Sequence, residues 1–126
     1  MRPMLNENAI VLQLAATVPQ LADLLRTHVE EFDEIIPHVF LGRVSNLVEE
    51  LDDQRRANPA ADALLAAIMS AFEPCFELAD DDARNLISVS LIENVMQRAI
   101  DSPEFRSRLG PRLRADLEDM LRHHGL

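Results

Sequence analysis

Residues 30 to 38 set four acids, Glu30, Glu31, Asp33 and Glu34, just ahead of Pro37-His38. Carboxylates beside an imidazole are the raw material of general acid–base catalysis and of metal ligation. A further carboxylate, Glu93, falls on a helical wheel between Leu86 and Ile100, inside an apolar face. Burying a charge without a partner is costly, so Glu93 is expected to be hydrogen-bonded or ion-paired. His38 and Arg43, on the helix that starts at Pro37, are its candidate partners. A perturbed carboxylate beside a histidine is also the arrangement of an acid–base pair.

The other ingredients of a reaction are missing from the sequence. A metal centre needs three or four converging ligands, and His38 has neither a histidine at i+4 nor a cysteine pair near it. His123 and His124 are adjacent, so on a helix they point to different faces. Ser88 and Ser90 lie within a helical pattern and outside any Gly-x-Ser-x-Gly turn, and no phosphate-binding glycine loop occurs. Cys75, the single cysteine, follows Pro74 on an apolar face and reads as a small core residue of a reducing compartment. His28 reads as a core histidine on the apolar side of its helix. No catalytic residue, metal ligand or cofactor is therefore assigned. His38, Arg43, Glu93 and Asn94 are expected to form a structural polar core.

The elements that must position these residues are helical. The 126 residues are 48% hydrophobic, rich in Ala and Leu, with three glycines and no Trp or Tyr, and no stretch alternates like a strand. A first helix is expected over about Glu7 to Thr17, with Ile10, Val11, Leu14 and Ala15 on one side. Pro19 opens a second, with Val18, Leu21, Leu25, Val29 and Phe32 as its stripe, and Asp33 to Ile36 form the turn. Phe40, Val44, Leu47, Val48 and Leu51 give the third helix its period. Gly42 inside it costs roughly 1 kcal/mol against Ala, which suggests close packing of another helix there. Asn58-Pro59 starts a fourth helix carrying Ala61, Leu64, Leu65, Ile68, Phe72 and Cys75, which Pro74 should kink or end. Asp80 can cap a fifth helix over residues 81–100, apolar around most of its circumference and so the central one. A short helix runs from Ser102-Pro103 to Leu109, and Gly110-Pro111 opens the last, with Leu113, Leu117, Met120 and Leu121 inward. The expected fold is one all-α domain over residues 1–126, a compact bundle of about six to seven helices.

Charge narrows the function. The net charge is −10, all 12 basic residues are Arg, and residues 30–82 hold 14 acids against three arginines. Such a pole repels nucleic acid and anionic membranes and attracts basic proteins. No apolar run approaches the roughly 18 to 20 residues of a membrane span. The run at 9–18, preceded only by Arg2 as positive charge, reads as structure and not as a leader, in a cytoplasmic protein.

The stretches "IIPHVFLGRVSNLVEEL", "NLISVSLIENV" and "LGPRLRADLEDML" together resemble a group of small, acidic bacterial proteins of unassigned function. Pro37, His38, Gly42, Ser90, Glu93, Asn94, Leu109, Gly110 and Pro111 carry the likeness, over roughly residues 17 to 121. Arg43 departs from it, standing where an acid is common. The group looks like the immunity proteins of bacterial toxin systems. That resemblance implies tight binding of one toxin and supplies no catalytic residue. The expected contact residues are Glu30, Glu31, Asp33, Glu34, Glu49, Glu50, Asp52 and Asp53. Two other readings remain: a helical scaffold that homodimerises through the stripe of the fourth or last helix, and an enzyme using Glu93 and His38.

Overall fold

Most helices start where a local signal tells them to. In the computed structural model, which describes residues 4–125, Asn6 accepts the Ala9 amide at 2.8 Å and opens α1, Glu7–Thr17. Proline stands in the first turn of α2 (Pro19–Phe32), α3 (Pro37–Gln54) and α4 (Pro59–Leu78), where its missing N–H costs nothing. Asn58 also caps α4 through its side chain. Asp80 accepts the Ala83 amide at 2.8 Å and caps α5, Asp81–Ile87. Ser102 caps the one-turn helix α7, Pro103–Arg106, shorter than the expected run to Leu109. The last helix, α8, spans Pro111–His123. Arg2, the one charge ahead of the apolar run at 9–18, lies outside the described residues.

Between α5 and α6 (Glu93–Asp101) the helix does not stop but widens into a π-helical turn, Ser88–Ile92. The Glu93 amide bonds back to the Ser88 carbonyl, five residues earlier. This wider turn fits in one extra residue and shifts the phase of everything after it. Before it the inward residues are Ala83, Leu86 and Ile87; after it they are Val95 and Ala99. Ile100, expected on the apolar face, is exposed, and so is Val89 within the wide turn.

The bundle is all-α, and the continuous α5–π–α6 rod is its centre. α1, α3, α4 and α8 pack around it, and α7 closes one end. Phe40, Phe72 and Phe105 are fully buried, each burial worth roughly 1.5–3 kcal/mol. The apolar stripes of α4 (Leu65, Ile68, Phe72) and α8 (Leu113, Leu117) face this core, with Leu64 and Met120 partly buried at its edge. α4 runs on past Pro74 to Leu78, one turn farther than a proline that ends a helix would allow. α2 turns differently from its expected stripe: His28 is buried and Val29 is exposed. No atom of a neighbouring helix lies within 4 Å of where a Cβ on Gly42 would sit, so close helix packing does not explain that glycine. Leu5 forms a single parallel bridge with Ala79, donating to the Leu78 carbonyl and accepting from Asp80, both at 2.8 Å. No helix among the described residues is long and apolar enough to cross a membrane.

Candidate functional site

The corner between α2 and α3 is built around His28. α2 ends with Asp33 in the left-handed region, φ 60°, its amide bonded to the Val29 carbonyl at 2.8 Å. The chain then doubles back to Pro37. Inside the corner the His28 ring is fully buried, and its Nε2 accepts the Ile36 amide at 3.0 Å. Phe32 lies 4.9 Å away and Phe40 5.9 Å, centroid to centroid. Arg43 reaches back from α3, 5.3 Å above the Phe32 ring, and pairs with Glu31 at 2.7 Å. Burial holds the imidazole below its ordinary pKa; Arg43 adds to that and Glu31 opposes it. The outer face of this corner carries the acids. Glu30 accepts from Arg26 at 3.3 Å, while Asp33 and Glu34 are exposed with no ion-pair partner among the described residues.

The second acid group, at the end of α3, is arranged otherwise. Arg98 of α6 meets Glu49 at 3.1 Å, Asp52 at 2.9 Å and Asp53 at 2.8 Å. Arg55 joins Asp52 at 2.9 Å to Glu104 at 2.8 Å, and Arg56 adds a bond to Glu104 at 2.7 Å. These bonds from Arg55, and then from Arg56, pull the Glu104 carboxyl down to about 2. The side chains of Asp52 and Arg55 are only 9% and 8% exposed, so this is an internal clamp between α3, α6 and α7. It lines a cleft of about 550 Å³ in which Arg55, Arg56 and Arg98 stand among Glu49, Asp52, Asp53 and Asp101. Glu50, on the next face, is exposed and unpaired among the described residues.

The expected polar core of His38, Arg43, Glu93 and Asn94 does not form. Glu93 is exposed, because the π-helical turn rotates it by about one residue, 100°, out of the apolar face. His38 is exposed in the first turn of α3, and neither side chain has a hydrogen bond or ion pair among the described residues. Arg43 is taken by Glu31. Asn94 arrives where an unbroken helix would have put Glu93. Its amide donates to the Ser45 hydroxyl at 3.3 Å and to the Ser90 carbonyl at 2.8 Å. Ser45 in turn donates to the Gly42 carbonyl at 2.7 Å. Here the polar link between α3 and the central rod consists of neutral groups. The acid–base pair loses both of its members.

A family model for a domain of unknown function, DUF7674, matches residues 11–125. The chain belongs to that family. No curated protein and no solved structure matches it. The DUF7674 domain so defined takes in the α2–α3 corner, the Arg98 clamp and the whole central rod.

Two further sites in this DUF7674 chain were invisible in the sequence. Glu73 of α4 accepts the Arg112 amide at 2.9 Å and the Leu113 amide at 3.1 Å, capping α8 from another helix. A Cβ on Gly110 would collide with the Glu73 carboxylate and push that side chain off the α8 amides. Asp116 of α8 accepts from the Ser88 hydroxyl at 2.7 Å, tying α8 to the π-helical turn. Burial raises the Asp116 carboxyl; the Ser88 bond works against that, Asp119 with it and Arg84 against it. Cys75 is buried in the core, its thiol pushed up to about 11 by burial. Among the described residues no group of three or more His, Cys, Asp and Glu side chains is arranged to hold a metal ion.

Proposed function

We propose that this DUF7674 chain is a non-catalytic binding protein of the bacterial cytoplasm, an immunity-type inhibitor that neutralises a cognate toxin by covering a basic surface on it. The observation that carries the reading is the unequal pairing of its acids. Glu49, Asp52 and Asp53 already hold Arg98, whereas Asp33, Glu34 and Glu50 stand exposed without an ion-pair partner among the described residues. Acids that are already paired gain little from a new cation, while unpaired exposed ones steer a basic protein during approach. The contact surface accordingly narrows to Asp33, Glu34 and Glu50 around the α2–α3 corner, where Glu30 and Glu31 already hold Arg26 and Arg43.

The test pairs this chain with the product of a neighbouring gene that carries a toxin-like C-terminal domain. Co-expression should restore growth, and stopped-flow mixing should give an on-rate that falls steeply with salt. Reversing Asp33, Glu34 and Glu50 to Lys should slow association by about tenfold or more at low salt. Reversing Glu118, exposed on α8, should leave it unchanged. Equal on-rates for all variants at every salt concentration would refute the acidic corner as the contact. Loss of growth rescue by the wild-type chain would refute immunity.

A further inference from the structure

A histidine nitrogen that accepts a hydrogen bond cannot carry a proton at the same time. His28 Nε2 accepts the Ile36 amide at 3.0 Å, so the ring is neutral with its proton on Nδ1. That Nδ1 is buried and has no hydrogen-bond partner among the described residues. The ring is thus held by one bond, in an apolar nest between Phe32 and Phe40. An imidazolium in the same place would turn Nε2 against an amide hydrogen and leave both ring N–H groups without an acceptor.

We propose that His28 is an acid-sensitive latch on the α2–α3 corner: the neutral ring holds the turn shut, and protonation at Nε2 releases the Ile36 amide and loosens the segment bearing Asp33 and Glu34. The latch regulates the surface assigned above, and only that consequence rests on the immunity reading. The charged groups acting on the ring are Arg43 from α3, which opposes its protonation, and Glu31 from α2, which favours it. Glu31 is already engaged by Arg43 at 2.7 Å, and this limits what it offers the ring. Opening therefore answers protonation better than a new internal partner does. The turn is four residues long, with Asp33 in a backbone conformation that non-glycine residues adopt at some cost.

The direction of the pH effect follows from linkage. The closed corner holds His28 below its ordinary value of 6.5, and an open corner returns it there. Above 6.5 both forms are neutral and closure is independent of pH. Below it the open form takes up a proton that the closed form refuses, so closure weakens with acid, by at most about tenfold per pH unit for one proton.

Nuclear magnetic resonance on the full chain tests this without any toxin. The His28 ring should titrate below 6.5, and the hydrogen-exchange protection of the Ile36 amide should fall between pH 7 and pH 5. The Leu14 amide, in α1, should keep its protection over the same range. In His28→Gln, whose amide oxygen can accept from Ile36 but does not titrate, Ile36 protection should be flat. A wild-type Ile36 amide indifferent to pH, or one that falls equally in His28→Gln, overturns the latch. Should that variant misfold, the wild-type ring alone decides: titration at or above 6.5 overturns the latch. A failed toxin assay would refute the immunity reading and leave the latch standing, and a flat Ile36 amide would do the reverse.

Discussion

Arg98 shows how one residue can reassign its neighbours. By itself the acid cluster at Glu49, Asp52 and Asp53 looks like a surface awaiting a cation, and the fold supplies that cation from 45 or more residues away. The pairing was not legible because an arginine on one helix does not announce which helix it will face. Glu93 failed for the opposite reason: its apolar surroundings were legible and the phase shift just before it was not. Replacing Arg98 by Met should destabilise the fold by roughly 1–3 kcal/mol, since the nearly buried Asp52 loses one of its two arginine donors and stands beside Glu49. The urea midpoint measures this. Part of the loss should be recovered at high salt, because the three carboxylates then repel one another less.

At the scale of elements, most helix starts were legible and most phases were not. Asn58-Pro59, Asp80, Ser102-Pro103 and Gly110-Pro111 all open helices where their local chemistry says they should, because a cap involves only neighbours in sequence. Phase depends on the whole stretch, so one wide turn at Ser88–Ile92 was enough to move Glu93 away from the core and bring the Asn94 amide to Ser45 and Ser90. α2 illustrates the same weakness more mildly: its buried side runs through Leu21 and His28, one residue away from the expected stripe through Val29. If the wide turn is a single-residue insertion, removing the exposed Val89 should restore an ordinary helix with both halves still in phase. Deletion of Val89 is expected to give a folded protein within about 2 kcal/mol of the parent. Deleting the buried Val95 instead should cost more, since it turns Ala99 away from the core. Circular dichroism with urea titration separates the two outcomes.

For the whole molecule, the all-α bundle and its central helix follow from composition and period, while the balance of its charges does not. The 14 acids of residues 30–82 suggested an open acidic face, yet several of them are engaged by Arg98, Arg55 and the amides at the start of α8. Two acid-dependent windows follow from the groups already described. Glu104, held at about 2 against an ordinary 4.5, contributes stability that is complete above 4.5 and is lost as the pH falls toward 2. His28 lies in the other window, where stability begins to decline below 6.5. Urea midpoints between pH 7 and pH 3 should therefore fall in two stages. Glu104→Gln should flatten the lower stage and leave the upper one, an outcome that a single shared acid transition would contradict.

The bridge between Leu5 and Ala79 bears on the order in which the chain assembles. Its partners are 74 residues apart, and closing so long a loop from an unfolded chain is entropically unfavourable. Once α1 has docked on α4, the same contact spans only the few residues from Asn6 to the end of that interface. Leu5 is thus a late arrival, although it is made before its partner. The amide it caps belongs to Asp80, the residue that starts the central rod. During synthesis the beginning of that rod stays unfinished until Asp80 has left the ribosome and the segment bearing Leu5 has found its seat.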